Sequence, residues 1–303
     1  MNMVLTKLRE RLGGYSRLVM FSHTVFSLPF GLISMLWAYG GVPPLKLFIL
    51  ILAALVFARN GANAFNRVAD RKIDARNERT ALRPLQTGEV RLREAWIITI
   101  LCFAGLAVCA WFLNPLCLIL LPLALFVFVF YSYTKRFTWL CHFVLGLACG
   151  GAPVGAWAAA AGSLSLVPFA LGGAMTFWVA GFDIIYATQD IDFDRREGLF
   201  SVPARFGLKN GLRIAAASHA AAVACLIAAS ALRPQGILYF AGILAVSALL
   251  VFEHLSVRPS SRRRMSFVAY SMNQIVSVTF FVFAALDFFV IGEKMVWITL
   301  PWA

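Results

Sequence analysis

Two short stretches of the 303-residue chain concentrate the residue types that bind cations and phosphates. The first runs from Arg59 through Asn63, Asn66 and Asp70 to Asp74, at spacings of 4, 3, 4 and 4 residues. A helix continuing through them would carry all five on one face. The second holds Asp183, Tyr186, Asp190 and Asp194 at spacings of 3, 4 and 4, again a single helical face. Asp70 and Asp190 are 120 residues apart, as are Asp74 and Asp194, which predicts a duplicated, pseudo-symmetric core. Four converging carboxylates repel one another unless a divalent cation neutralises them, and an all-oxygen donor set favours Mg²⁺ or Ca²⁺ over zinc. Mg²⁺ usually keeps several waters and bridges carboxylates to substrate phosphates. Complementary cations flank both motifs: Arg67, Arg71, Lys72, Arg79 and Arg83 after the first, Arg195 and Arg196 after the second, and Lys135-Arg136 between them.

The elements that position these residues must be membrane helices. The chain is 61% hydrophobic and only 14% charged, against about 25% charged in an ordinary soluble domain, so a soluble globular fold is excluded. Apolar runs at about 18–40, 47–66, 95–113, 115–132, 139–161, 166–189, 211–230, 235–254 and 270–292 predict nine spanning helices. The fold expected is all-α, a polytopic bundle around a central cavity, forming one domain over residues 1–303. Residues 1–17 lack the apolar core of a cleavable signal and read as an amphipathic segment lying on the membrane. The Gly- and Ala-rich stretch 146–162 predicts close helix–helix approach.

Of the 27 Lys and Arg, 23 fall before the first helix or in alternate connections after it. Lys/Arg-rich loops stay cytoplasmic, so the N-terminus and both acidic motifs are expected inside and the C-terminus outside. The net charge of +13 reflects this topology rather than a nucleic-acid surface, because the basic residues alternate with apolar runs instead of gathering on one solvated face. The Arg262–Arg264 run reads as topology and attraction to anionic lipid. The six cysteines contain no CxxC pair and read as small core residues.

A single D-x-x-x-D after a membrane helix reads most simply as a solvated face. Its recurrence at an equivalent position, with Arg59 and Asp183 deeper in the apolar runs, argues for a functional cavity, because buried ionisable groups are costly in a membrane. A transporter would also use such groups. Here both acidic clusters lie at one surface with no matching acids opposite to complete a route.

The combination N-x-x-x-D-x-x-x-D at Asn66, Asp70 and Asp74, the following Arg79-Thr80 and Arg83-Pro84-Leu85, and Y-x-x-x-D-x-x-x-D at Tyr186, Asp190 and Asp194 resembles the UbiA superfamily of intramembrane prenyltransferases. The resemblance covers most of the chain, including S-H-T-V-F-S-L-P-F at 22–30, Y-S-Y-T-K-R-F-T at 131–138 and S-V-P-A-R-F-G at 201–207. The wording of both motifs is most similar to that of bacterial 4-hydroxybenzoate polyprenyltransferase-like members. One departure is Arg67, where many family members carry an acid directly after the motif asparagine.

The resemblance implies a bacterial inner-membrane enzyme that transfers a polyprenyl group from its diphosphate to an aromatic acceptor in quinone biosynthesis. The acceptor expected is 4-hydroxybenzoate, in ubiquinone formation, with 1,4-dihydroxy-6-naphthoate, in menaquinone formation, as the alternative. Mg²⁺ would be held by Asn66, Asp70, Asp74, Asp190 and Asp194. Lys72, Arg79, Lys135, Arg136 and Arg196 are the candidates for the diphosphate, and Tyr131, Tyr133 and Tyr186 for stabilising an allylic cation through their ring faces. Asp183 would take the ring proton, orient the phenol, or simply pair with Arg59. Arg59 with Asn63 would receive the acceptor carboxylate. The isolated His23, His142 and His219 read as helix–helix hydrogen-bonding residues, and Glu253-His254 and Asp287 as interfacial.

Overall fold

The computed structural model describes residue 11, residues 13–257, residue 265 and residues 267–290. Most of the expected amphipathic segment 1–17, the Arg262–Arg264 run and the extreme C-terminus lie outside the described residues. Among the described residues the fold is all-helical, with no strand. Nine long helices follow one another: α1 (Phe21–Tyr39), α2 (Leu45–Ala69), α3 (Leu92–Leu113), α4 (Pro115–Thr134), α5 (Cys141–Ala161), α6 (Leu166–Ala187), α7 (Val202–Leu232), α8 (Ile237–Ser256) and α9 (Asn273–Val290). Helices α2 to α9 are each long and apolar enough to cross a membrane, and α1 contributes a shorter apolar stretch, Leu28–Tyr39. The protein is an integral membrane protein.

Local chemistry sets several of the boundaries. Asn114 caps α4 by accepting the Cys117 N–H (3.0 Å), with Pro115 in the first turn. Ser201 caps α7 by accepting the Ala204 N–H (3.2 Å). Within α7 the chain breaks at Gly207, whose φ of 78° is a conformation that side-chain-bearing residues rarely adopt. Asp287 of α9 caps α8, accepting the Gly236 N–H at 2.7 Å and the Tyr239 N–H at 3.1 Å. It is buried within the protein at the end of both helices.

The packing follows the small-residue logic of helices in lipid. A Cβ at Gly146 would overlap the Thr176 carbonyl oxygen, and one at Gly150 would overlap both Thr176 Oγ1 and the Gly172 carbonyl. Thus α5 and α6 meet backbone to backbone where the sequence is richest in Gly and Ala. The largest apolar core joins α1, α5, α6, α8 and α9 through residues including Phe30, Ile33, Met175, Trp178, Tyr239 and Phe280. Exposed Ile100, Leu101, Trp111, Ile119 and Leu244 turn outward, as lipid-facing side chains must.

Two elements depart from the expected straight helices. α2 stops at Ala69, Asp70 takes φ −91° and ψ 5°, and a short helix Arg71–Asp74 follows. The second motif bends in the same way: a 3₁₀ turn Thr188–Asp190 follows α6, Asp190 takes φ −107° and ψ 9°, and a short helix Ile191–Arg196 begins. Both leading aspartates therefore sit in the sparsely populated bridge region. The sequence repeat at 120 residues is matched by a repeat of backbone conformation.

Candidate active site

The two bends turn their carboxylates toward a common region at one end of the bundle, and the connections fold over it. Residues 75–91 form a series of tight turns in which Thr80 Oγ1 donates to the Asp74 carbonyl (2.8 Å), fixing Arg79 and Arg83 on either side. Arg83 pairs with Asp74 (2.5 Å). Arg79 reaches across to the second motif, where Nε lies 3.0 and 3.1 Å from the two Asp190 oxygens. It also donates to the Tyr186 hydroxyl (2.7 Å) and lies over that ring, 4.7 Å from its centroid. Asn77 Nδ2 completes the set by donating to Asp190 Oδ1 at 2.9 Å.

The connection between α4 and α5 supplies the remaining two cations. Lys135 Nζ is 2.8 Å from Asp194 Oδ1, and Arg136 Nη2 is 2.9 Å from Asp70 Oδ1. Arg136 also donates to the Ala69 carbonyl (2.7 Å) and covers the Tyr133 ring at 4.6 Å. Asn66 Nδ2 donates to Asp70 Oδ2 at 3.0 Å. Each of the four motif carboxylates thus has its own basic partner, four negative charges against four positive. Burial, with Asp74 adding repulsion, raises the Asp70 pKa from 3.8 to about 6 despite Arg136 and Lys135. Burial alone would lower the Lys135 pKa, but Asp194 and Asp190 outweigh it and hold the ammonium above its ordinary value.

Beneath this ionic layer lies an apolar cavity between α2, α3, α4 and α5, of about 1020 Å³ including its open side. Arg59, Ala62, Tyr131 and Cys149 form its end nearest the motifs, and Leu113, Cys117, Ala158 and Ala159 its far end. From Tyr131 to Cys117 along α4 is about 21 Å at 1.5 Å per residue, a large part of the ~30 Å hydrocarbon layer. Arg59 Nη1 donates to Cys149 Sγ (2.9 Å), and the Tyr131 hydroxyl donates to the Ala62 carbonyl (3.2 Å).

Asp183 has a partner that the sequence did not suggest. His142 Nδ1, at the start of α5, lies 2.6 Å from Asp183 Oδ2, and the Val202 N–H donates to His142 Nε2 at 3.3 Å. With Nε2 accepting, the imidazole proton belongs on Nδ1, pointing at Asp183. The triad joins the ends of α5 and α7 to the C-terminal part of α6, while the Asp183 side chain remains 27% exposed.

Several expected members stand elsewhere. Asn63 donates to the Val19 carbonyl (2.6 Å) and ties the segment before α1 to α2, away from the cavity wall. Tyr133 is two residues from Tyr131, about 200° around the helix, so it faces Phe65 and Arg136 instead of the cavity. The bend at Asp70 turns Lys72 outward, and Arg196 is likewise exposed. Glu253, near the end of α8, is fully buried within the protein and accepts from Asn273 Nδ2 at 3.5 Å. Neither Asn77 nor the partners of His142 are legible in the sequence; only their proximity in the fold reveals them. Among the described residues no group of three or more His, Cys, Asp and Glu is gathered to hold a metal, and each motif aspartate is engaged by a cation.

The sequence matches the model of the UbiA prenyltransferase family over residues 27–289. The chain belongs to that family. It is a prenyltransferase, an enzyme of the integral membrane class. It is 31% identical over 292 residues to a 4-hydroxybenzoate octaprenyltransferase of Shewanella piezotolerans, covering 93% of this chain and 99% of the relative. A 4-hydroxybenzoate octaprenyltransferase of Nitrosospira multiformis is also 31% identical, over 296 residues, covering 93% of this chain and 98% of the relative. Among solved structures, the apo form of a UbiA homolog from Aeropyrum pernix superposes with a TM-score of 0.79 at 35% identity, covering 88% of this chain and 98% of that one. The same fold recurs in a UbiA homolog from Archaeoglobus fulgidus solved with GPP and Mg²⁺, at 22% identity and a TM-score of 0.67, covering 91% and 100% of the two chains.

Proposed function

We propose that this enzyme transfers a polyprenyl group from polyprenyl diphosphate to 4-hydroxybenzoate, with Mg²⁺, on the cytoplasmic side of a bacterial inner membrane. The observation that carries the reading is the balanced layer of four carboxylates and four cations at the mouth of a long apolar cavity. The choice of acceptor is supported by the relatives at 31% identity named for it.

The residues fit a hard divalent cation. Asp70, Asp74, Asp190 and Asp194, with the Asn66 amide oxygen, are all-oxygen donors of the type Mg²⁺ prefers. When bound, Mg²⁺ supplies charge neutralisation that makes the diphosphate a better leaving group. With Mg²⁺ held by the carboxylates, Arg79, Arg83, Lys135 and Arg136 would be free to meet the diphosphate oxygens and offset their charge. The C–O bond to the diphosphate breaks as the departing charge is stabilised by these preplaced donors. The apolar wall excludes water from the resulting allylic cation, and the Tyr131 ring at the cavity's inner end offers it a π-face.

Arg59, which lines the same end of the cavity, would hold the acceptor carboxylate. The ring carbon ortho to the phenol forms the new C–C bond, and Asp183, oriented by His142, accepts the displaced ring proton. The test is transfer by the purified protein in nanodiscs with Mg²⁺ and a long-chain polyprenyl diphosphate, followed by mass spectrometry over a panel of aromatic acceptors. The expected product is a 3-polyprenyl-4-hydroxybenzoate that is absent under EDTA. Prenylation of 1,4-dihydroxy-6-naphthoate alone would overturn the acceptor assignment.

A further inference from the structure

A second concavity opens at the end of α2, and none of the four motif carboxylates lines it. Its charged wall is Arg71, Lys72, Arg76 and Arg136 against the single acid Glu197, and its rim carries Trp96 from the second turn of α3. The space is about 1160 Å³ including its open mouth. Two of the cations are engaged: Arg76 pairs with Glu197 (2.8 Å) and Arg136 with Asp70. Arg71 and Lys72 are exposed and form no ion pair among the described residues.

The position of Trp96 says what kind of anion belongs here. Its ring is 41% exposed and braced edge-on by Phe65 at 5.9 Å. The residues that follow on the same helix, Ile97, Ile100 and Leu101, are 45%, 61% and 63% exposed, a lipid-facing surface. A tryptophan at the end of such a surface marks the lipid–water boundary. The cleft therefore presents uncompensated positive charge at headgroup level and an apolar rim directly below it. A soluble anion would use the charge and leave the rim idle, whereas an anionic amphiphile uses both.

We propose that this cleft binds the phosphate headgroup of an anionic phospholipid from the leaflet on the side of the aspartate motifs. Basic pockets at the ends of membrane helices recognise such headgroups, each nearby Lys or Arg strengthening the attraction. Because Arg136 forms one wall of the cleft and also holds Asp70, the lipid sits one side chain from the candidate active site. Polyprenyl diphosphate shares the chemistry of a phosphate on a lipid tail, but its metal-binding carboxylates line the other site, and Glu197 alone offers none of that set here. The proposal does not depend on the identity of the acceptor or on prenyl transfer.

The experiment is native mass spectrometry of the full-length protein in detergent, titrated with phosphatidylglycerol in the presence of EDTA. Wild type is expected to retain phosphatidylglycerol in preference to phosphatidylcholine. Arg71→Gln/Lys72→Gln should weaken that binding about 10–30-fold, as Trp96→Ala should to a smaller degree. The doubly substituted protein keeps the four motif ion pairs and should elute as the wild type does. Lys209→Gln/Arg213→Gln, which removes two exposed charges on α7, should leave binding unchanged. Undiminished binding by Arg71→Gln/Lys72→Gln, or equal loss in the α7 control, would overturn the proposal. Displacement of the lipid by inorganic phosphate at the same concentration, or by polyprenyl diphosphate in EDTA through Arg71 and Lys72, would overturn the assignment to a phospholipid.

Discussion

Lys135 and Arg136 are neighbours in the chain, yet they bind carboxylates from opposite halves of the protein. Lys135 holds Asp194 and Arg136 holds Asp70, each at under 3 Å. A single connection thereby clasps both aspartate motifs, and Arg79 crosses back from the first half to Asp190. At this end of the bundle the two motifs meet through their charges, where the diphosphate is proposed to lie.

The clasp is not equally costly to break at its two points. Asp194 is fully buried, whereas the Asp70 side chain is 23% exposed and can recruit water. Lys135→Ala should therefore destabilise the protein by about 1–3 kcal/mol, the usual cost of orphaning a buried polar group, and Arg136→Ala by less. Denaturant unfolding of the two variants in the same detergent checks the order.

The His142–Asp183 pair makes a kinetic prediction. Asp183→Asn removes the proton acceptor but keeps the shape, so kcat should fall about 10²-fold or more while affinity for the prenyl diphosphate is unchanged. His142→Ala should lower kcat less, because the carboxylate survives but loses its orienting N–H. Single-turnover transfer and equilibrium binding separate the two effects.

Asp70 makes a pH prediction. Its pKa in the folded, metal-free protein is raised to about 6, above the ~3.9 of an unfolded aspartate. The folded state thus holds this proton more readily. The associated stability is fully present below about pH 4 and is lost as the pH rises through 6. Protons also compete with a metal for the same carboxylate, so apparent Mg²⁺ affinity should fall as the pH drops through that value. Asp70→Asn should abolish this part of both dependences, read by thermal unfolding without metal and by Mg²⁺ titration.

The α5–α6 contact supplies a packing prediction. Gly146→Val would drive a branched side chain into the Thr176 carbonyl, and overpacking of this kind typically costs about 1–3 kcal/mol. Gly151→Ala on the same helix meets nothing within 4 Å and should be nearly neutral, as comparative unfolding in detergent will read.

Periodicity and charge make the spans and the equivalence of the two motifs legible, because these depend on local sequence and on the cost of burying charge; of the five cations expected at the diphosphate, Arg79, Lys135 and Arg136 meet the motif carboxylates and Lys72 and Arg196 do not. What escaped depends on backbone geometry or on distant neighbours. A 3.6-residue period carried through Asp70 puts Asp74 and Lys72 on a continuing helix, but the bend there redirects Asp74 to Arg83 and turns Lys72 toward the basic cleft. Tyr131 and Tyr133 look equivalent in a list of aromatics, yet the helix sends one to the cavity and the other to Arg136. His142 was read as a helix–helix hydrogen-bonding residue, and such it is, but that its partners are Asp183 and the Val202 N–H is set by the packing of three helices.

The central claim is that both aspartate motifs serve one reaction, and the most direct test measures Mg²⁺-dependent prenyl transfer to 4-hydroxybenzoate by Asp70→Asn and Asp190→Asn separately, in nanodiscs, with folding verified by monodisperse elution. Either substitution alone should reduce transfer by about 10²-fold or more, since each removes a proposed ligand on a different side of the same diphosphate. Near-normal transfer by either folded variant would contradict that claim.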